Sequence, residues 1–314
     1  MMTILVILAV VFAAYISFGL YFFNIAFNPK VSKKYILRDL TRSEDRKNVE
    51  GQNPEEDAQW LKDMAEEIQI MSKDKLNLYG YSIKNPMKQS NTWVILAHGY
   101  MGKASEMVSF AKEFIDRGYH VLIPDLRAHG KSQGKYIGMG WPDRLDMVTW
   151  IQKICCSYSD CNIVLYGVSM GAATMMMTTG ERLPANVKVC IEDCGYTSVY
   201  DEFRWLLKGI HPIMAKLILS SSNLISKILL GYGFKEASSM EQIKTSTIPT
   251  LFIHGSEDKF VPFEMHDTLY NAATCPKQKL VVEGAHHVES RKMAPELYWN
   301  TIEESIRKQI SIDT

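Results

Sequence analysis

From Lys75 onward, short runs of apolar residues alternate with longer stretches in which apolar positions return every three or four residues. The runs predict strands over Leu76–Ile83, Thr92–Ala97, His120–Pro124, Asn162–Tyr166, Val187–Glu192, Pro249–His254 and Gln278–Val282. The periodic stretches predict helices over Lys103–Arg117, Pro142–Cys155, Met170–Arg182, Glu264–Ala273 and Ala294–Gln309. Strands built almost continuously from Val, Ile and Leu must be covered on both faces. The expected class is therefore α/β, with a mostly parallel central sheet and helices on each side. In such sheets functional groups gather beyond the carboxyl ends of the strands.

Three segments depart from this rhythm. Met1–Pro29 carries no charged side chain. Its run Ile4–Ile25 is long enough, at ~1.5 Å per residue, to cross a ~30 Å hydrocarbon layer as a helix. No basic residue precedes the run and no small-x-small site follows it. It also exceeds the roughly 7–15 residues of a signal-peptide core, so residues 1–29 are expected to be a retained transmembrane anchor. Tyr15, Tyr21, Phe22 and Phe23 suit the interfacial end, and Lys30, Lys33, Lys34 and Arg38 beyond it would leave the following chain on the cytoplasmic side.

Residues 30–73 are expected to be a charged linker followed by a packing helix. That helix starts at Asn53-Pro54-Glu55-Glu56-Asp57, with Trp60, Leu61, Met64 and Ile68 at helical spacing. Residues 74–314 form the main domain. Within it, about 197–245 is helical and apolar with no strand signal (Phe203, Leu207, Ile213, Leu217, Leu224 and Ile228 among others), which predicts a helical cap with an apolar underside.

Composition narrows the classes further. In 314 residues, 46% hydrophobic and 22% charged, there is enough apolar surface for a sizeable core, which excludes general disorder. Formal net charge is zero, so nothing draws the chain towards nucleic acid. The six cysteines include no Cys-x-x-Cys pair and no zinc-like spacing with histidine, and read as reduced thiols, in keeping with a cytoplasmic domain and no metal.

The candidate chemistry lies at the strand ends. Gly167-Val168-Ser169-Met170-Gly171 joins a predicted strand to a predicted helix. On so sharp a turn the Ser169 hydroxyl projects from the backbone, and the Met170 amide, at a helix N-terminus, can donate to an oxyanion. A serine needs a base, and the base needs a carboxylate. The chain offers His254-Gly255-Ser256-Glu257-Asp258 past one strand and Glu283-Gly284-Ala285-His286-His287 past the last. Asp193, at the end of another strand, competes with Asp258, and His286 competes with His287.

Taken with His98-Gly99-Tyr100-Met101-Gly102 and Pro124-Asp125-Leu126-Arg127-Ala128-His129-Gly130-Lys131-Ser132, these motifs resemble the α/β-hydrolase superfamily over roughly residues 75 to 310. The chain is similar in particular to membrane-anchored serine hydrolases of Gram-positive bacteria. The resemblance implies the α/β-hydrolase fold with a helical cap, and a Ser169–Asp258–His287 triad in the order Ser, Asp, His. His287 is preferred because the family pattern is Gly-Ala-x-His. It also implies an oxyanion hole from the amides of Tyr100 and Met170, no cofactor, and an acyl substrate, lipid-like given the cap and the anchor through residues 4–25. Asp125, Arg127, His129 and His98 are expected to brace their loops; His120, His211, His254 and His266 are expected to be surface or packing residues. Acyl transfer, peptide cleavage and a tethered, non-catalytic binding role use the same fold.

Overall fold

The structure is a computed structural model and describes residues 1–31, 53–86 and 91–310. Its strands are β1 (Glu66–Met71), β2 (Asn77–Ile83), β3 (Thr92–Ala97), β4 (His120–Pro124), β5 (Asn162–Val168), β6 (Val187–Asp193), β7 (Thr250–Gly255) and β8 (Lys277–Val282). They form one sheet in the order β1-β2-β4-β3-β5-β6-β7-β8. Strand β2 is antiparallel to both neighbours and every other pairing is parallel. The helices are α1 (Met2–Phe27), α2 (Pro54–Met64), α3 (Val108–Asp116), α4 (Asp143–Ser157), α5 (Met170–Thr179) and α6 (Val199–Leu206). They continue with α7 (Pro212–Leu230), α8 (Ser239–Ile243), α9 (Phe263–Ala272), α10 (Ser290–Met293) and α11 (Pro295–Ile310).

Alternation along the strands divides the interior in two. Trp93, Ile95, Ala97, Ile163 and Leu165 enter one core with α4, α5 and the cap. Their neighbours Val94, Leu96, Val164 and Tyr166 enter the other with α2, α3 and α11. A period of two along strands buried on both sides produces this partition without further instruction.

Strand β1 corrects the expected packing helix. Asn53 caps α2 by accepting from the Glu55 and Glu56 amides, but the helix stops at Met64, where Ala65 turns extended. Ile68 and Ile70 then alternate inwards on β1, opposite Gly80 and Leu78. Ile68 thus follows a period of two. The linker expected before α2 falls largely on residues 32–52, outside the described residues.

Helix α1 has the length and composition to cross a membrane. Its first half is exposed, yet its last turns belong to the domain. Phe23, Ala26 and Phe27 are buried in the first core, so Phe23 is not a membrane-interface residue as its position suggested. The Phe27 ring stacks on Phe234 and meets Phe203 edge-on, and Phe23 meets Tyr136. Two polar contacts fasten the same end: Ile137 donates its amide to the Phe27 carbonyl at 2.8 Å, and the Tyr100 hydroxyl donates to the Ala26 carbonyl at 2.6 Å.

Between β6 and β7 lie the cap helices α6, α7 and α8. Phe203, Leu207, Leu219 and Ile225 face inwards, whereas Ile213, Leu217, Leu224 and Ile228 are exposed. The apolar residues of the cap therefore form two faces, not the single underside expected. One prediction concerns α1. In detergent-solubilised full-length protein, Phe27→Ala is expected to cost about 3–5 kcal/mol in denaturant unfolding, as for a buried aromatic. Phe12→Ala, on the exposed half, should stay within about 0.5 kcal/mol. Equal effects would show that the end of α1 is no part of the core.

Candidate active site

The sequence turns at Ser169 because two glycines let three chain segments meet. A Cβ on Gly167 would lie 2.3 Å from the Gly171 carbonyl oxygen, and one on Gly171 would lie 2.1 Å from that of Ala97 in β3. Helix α5 can therefore start directly against the sheet. Ser169 takes φ 57° and ψ −119°, a conformation rare for a residue with a side chain. Its amide donates to the Asp193 carbonyl at 2.8 Å, which ties the turn to β6. Met170, the first residue of α5, has an amide with no intrahelical acceptor.

Two other strand ends meet this serine. His287 follows β8, and its Nε2 accepts from Ser169 Oγ at 2.9 Å. Its Nδ1–H donates to Asp258 Oδ2 at 2.7 Å, just beyond β7. Asp258 is buried, and its second oxygen accepts from the amides of Phe260 and Val261 at 2.9 and 3.0 Å. Burial alone would raise this carboxyl. The charge of His287, with hydrogen bonds from His254 and His287, outweighs burial and holds it well below the usual carboxylate range. The Phe260 ring lies 4.6 Å from that of His287 and covers it.

The competing residues lie elsewhere. Asp193 Oδ2 accepts from the Tyr298 hydroxyl at 2.7 Å, and the Tyr166 hydroxyl is 2.5 Å behind it. Burial, only partly offset by Tyr298, pushes the Asp193 carboxyl up to about 6. His286 is exposed and bonds through Nδ1 to the Glu257 carbonyl. Glu257 is exposed as well.

Tyr100 sits beside the elbow, since Gly99 approaches the Ser169 side chain. The loops around it are braced by histidines. His98 Nε2 accepts from the Leu126 amide and its Nδ1–H donates to the Gly99 carbonyl; burial lowers its pKa to about 4. His129 accepts from the Met101 amide and donates to the Arg127 carbonyl. Asp125 accepts from the amides of Ala104 and Lys131. The Arg127 guanidinium is held by Asp146 and Asp74.

His254 is the residue that sequence reasoning missed. It is fully buried on β7, donates from Nε2 to the Val261 carbonyl at 3.0 Å, and lies 3.3 Å from Asp258 Oδ2. Burial would lower its pKa, but the Asp258 contact raises it. The available signal was its spacing, four residues before an acid on the same strand-end motif. Among the described residues, Cys194, Asp258 and His287 have ligand atoms within 4.8 Å of one another. A cation there would have to displace the proton shared by the last two.

Comparisons with known proteins bear on the family and the fold. The serine aminopeptidase S33 family model matches residues 88–228, and the serine hydrolase FSH1 family model matches residues 164–296. The Bacillus subtilis protein YqkD is 26% identical over 72% of this chain and 75% of its own length. YfhR of Escherichia coli O157:H7 is 24% identical over 72% and 74%. The Pyrococcus furiosus esterase Pf2001 superposes with a TM-score of 0.63 over 83% of this chain and 97% of that one, at 23% identity. Sheet order, elbow and family matches together place the chain in the α/β-hydrolase superfamily.

Proposed function

We propose that the chain is a serine hydrolase that cleaves carboxylic ester or related acyl bonds through an acyl-enzyme on Ser169. The observation that carries this reading is the unbroken hydrogen-bonded chain from Ser169 Oγ through His287 to Asp258. An ionised Asp258 keeps the proton on Nδ1, so Nε2 presents its lone pair to the serine. His287 takes the Oγ proton as Oγ bonds to the substrate's carbonyl carbon. The oxyanion accepts from the amides of Met170 and Tyr100, each worth roughly 3 kcal/mol in the transition state. His287 then protonates the leaving group. Water, deprotonated by the same nitrogen, cleaves the acyl-enzyme and restores Ser169. The catalytic residues are Ser169, His287 and Asp258, and no step calls for a cofactor.

The substrate proposed is a small acyl compound of lipid-like character. In this reading the membrane anchor expected over residues 4–25 is the exposed part of α1, and it ends before Phe23, which belongs to the core. The burial of Phe23, Ala26 and Phe27 supports its retention, because cleavage beyond α1 would strip them from the core. The family match to serine aminopeptidases makes amides the natural comparison substrates, since the same proton transfers would cleave them.

A fluorophosphonate probe on the detergent-solubilised full chain tests the mechanism. Wild type should label, Ser169→Ala should not, and His287→Ala and Asp258→Asn should lower ester turnover roughly 10⁴-fold. A folded wild-type protein that neither labels nor turns over esters would sink the proposal.

Asp193→Asn separates the two candidate acids. It should keep turnover within a few-fold, whereas a loss matching that of Asp258→Asn would make Asp193 the acid. The same variant has a pH signature. Folded, Asp193 keeps its proton up to about 6, well above the ordinary aspartate range. The folded state therefore holds an extra proton across that window, and stability falls as pH rises through it. Thermal melts should show this fall in wild type and a shallower one in Asp193→Asn; parallel curves would contradict the assignment.

A further inference from the structure

Helix α7 carries an apolar stripe that the described residues do not cover. Ile213, Leu217, Leu224 and Ile228 recur at intervals of four, seven and four, which places them on one face at 3.6 residues per turn. They are 65, 44, 41 and 72% exposed. So large a continuous apolar surface is unusual on a domain bathed in water. The helix has no acidic residue, and Lys216 and Lys227, three turns apart, lie along the same flank of the stripe.

Another side of α7 packs on α1. Ser222 Oγ donates to the Gly19 carbonyl at 3.1 Å, and Tyr15 and Ser220 share a hydrogen bond at 2.8 Å. The backbones approach so closely that a Cβ on Gly19 would lie 2.4 Å from Ser221 Oγ. Small residues and hydroxyl-to-backbone bonds of this kind hold helices together inside membranes. On the paired helix α1, Leu8, Val11 and Phe18 are exposed apolar residues as well. Beside α7 a cavity of about 310 Å³ is lined in part by Lys227, Lys235, Tyr200, Asn223 and Glu236. Lys235 lies 4.8 Å over the Tyr200 ring, and Glu236 is engaged by the Gly233 amide. An apolar stripe flanked by lysines on a helix joined to a spanning helix is the pattern of an element lying in the headgroup region.

We propose that the outer face of α7 lies in the surface of the same bilayer that α1 enters, with its lysines among anionic headgroups. The inference rests on the anchor reading above and deepens it. The site lies at the foot of α1, because Tyr100, beside Ser169, is bonded to Ala26. The substrate class that follows is a membrane-resident acyl lipid, reached without leaving the bilayer.

The test uses the full chain with Cys155 and Cys156 replaced by serine, in vesicles of phosphatidylcholine with a minority of phosphatidylglycerol. An environment-sensitive fluorophore is attached in turn at Ile213→Cys, Ile228→Cys, Val10→Cys on α1 and Ser157→Cys at the end of α4. Lipid-borne nitroxide should quench positions 213, 228 and 10, and aqueous iodide should quench 157. Positions 213 and 228 behaving like 157 while position 10 still reports lipid would overturn the inference and leave the anchor intact. Iodide quenching at position 10 would remove the anchor reading itself. Protection of 213 and 228 from both quenchers would mean a protein partner, a second copy included, and would also overturn the proposal. In the same vesicles, Ile213→Glu with Ile228→Glu should lower turnover of a long-chain lipid ester about tenfold, equivalent to about 1.4 kcal/mol. Turnover of a soluble short-chain ester should not change. An equal effect on both esters would count against a membrane role for the stripe.

Discussion

A carboxylate sealed from water is costly unless enough hydrogen atoms are aimed at it, and much of this site is arranged to aim them at Asp258. Two come from the Phe260 and Val261 amides and one from His287, and the Nε2–H of His254, bonded to the Val261 carbonyl, lies 3.3 Å from the same carboxylate. The amides require the turn after β7 to fold back on itself, and His254 requires β7 to be buried. His287 requires the loop after β8 to reach over the elbow. Each demand fixes a different segment, so the position of one charge sets the geometry at three strand ends. The contrast with Asp193 is instructive. It too is buried, but a tyrosine is its main partner, and its carboxyl holds a proton far more readily. Two acids at neighbouring strand ends thus differ because one faces a histidine and a pair of amides and the other a phenol.

Helix α1 obeys two sets of constraints. Its first half is almost wholly apolar and exposed, as a lipid-facing segment is, and its last turns bury Phe23, Ala26 and Phe27 in the core. The junction near Gly19 is where small residues allow α7 to come close. Below it, Phe23 and Phe27 replace what would otherwise be a void between α6, the loop around Tyr136 and Phe234. A tether joined by a slack linker would leave the domain free to tumble. This helix is instead fixed to the loop that carries Tyr100.

The alternating body was legible because a parallel sheet covered on both faces leaves runs of Val, Ile and Leu, and each of the seven expected strands has its counterpart. The Gly-x-Ser-x-Gly turn was legible for a steric reason, since Gly171 could not hold a side chain against Ala97. Strand β1 was missed because four apolar positions across a helix end can mimic one period. Trp60, Leu61 and Met64 obey 3.6 residues per turn, whereas Ile68 obeys two, and only the pairing with β2 separates them. His254 was read as a surface or packing residue because its one signal, an acid four residues on, gains meaning only when the chain folds back at Asp258. The choice between Asp193 and Asp258 depended in the same way on Tyr298, more than a hundred residues distant in sequence.

The two apolar faces of the cap follow from the same limit. Periodicity says that a helix has an apolar side, but not how many neighbours it must satisfy. Helix α7 is apolar over more of its circumference than one core contact needs, and Leu219 and Ile225 account for only the inward part. In water the remainder would be a standing penalty, and none of the described residues hides it. That remainder lies on a helix packed against α1, which has exposed apolar residues of its own, and it is flanked by lysines. A helix that must satisfy a protein core, a partner helix and a hydrocarbon boundary at once needs this threefold division of its surface.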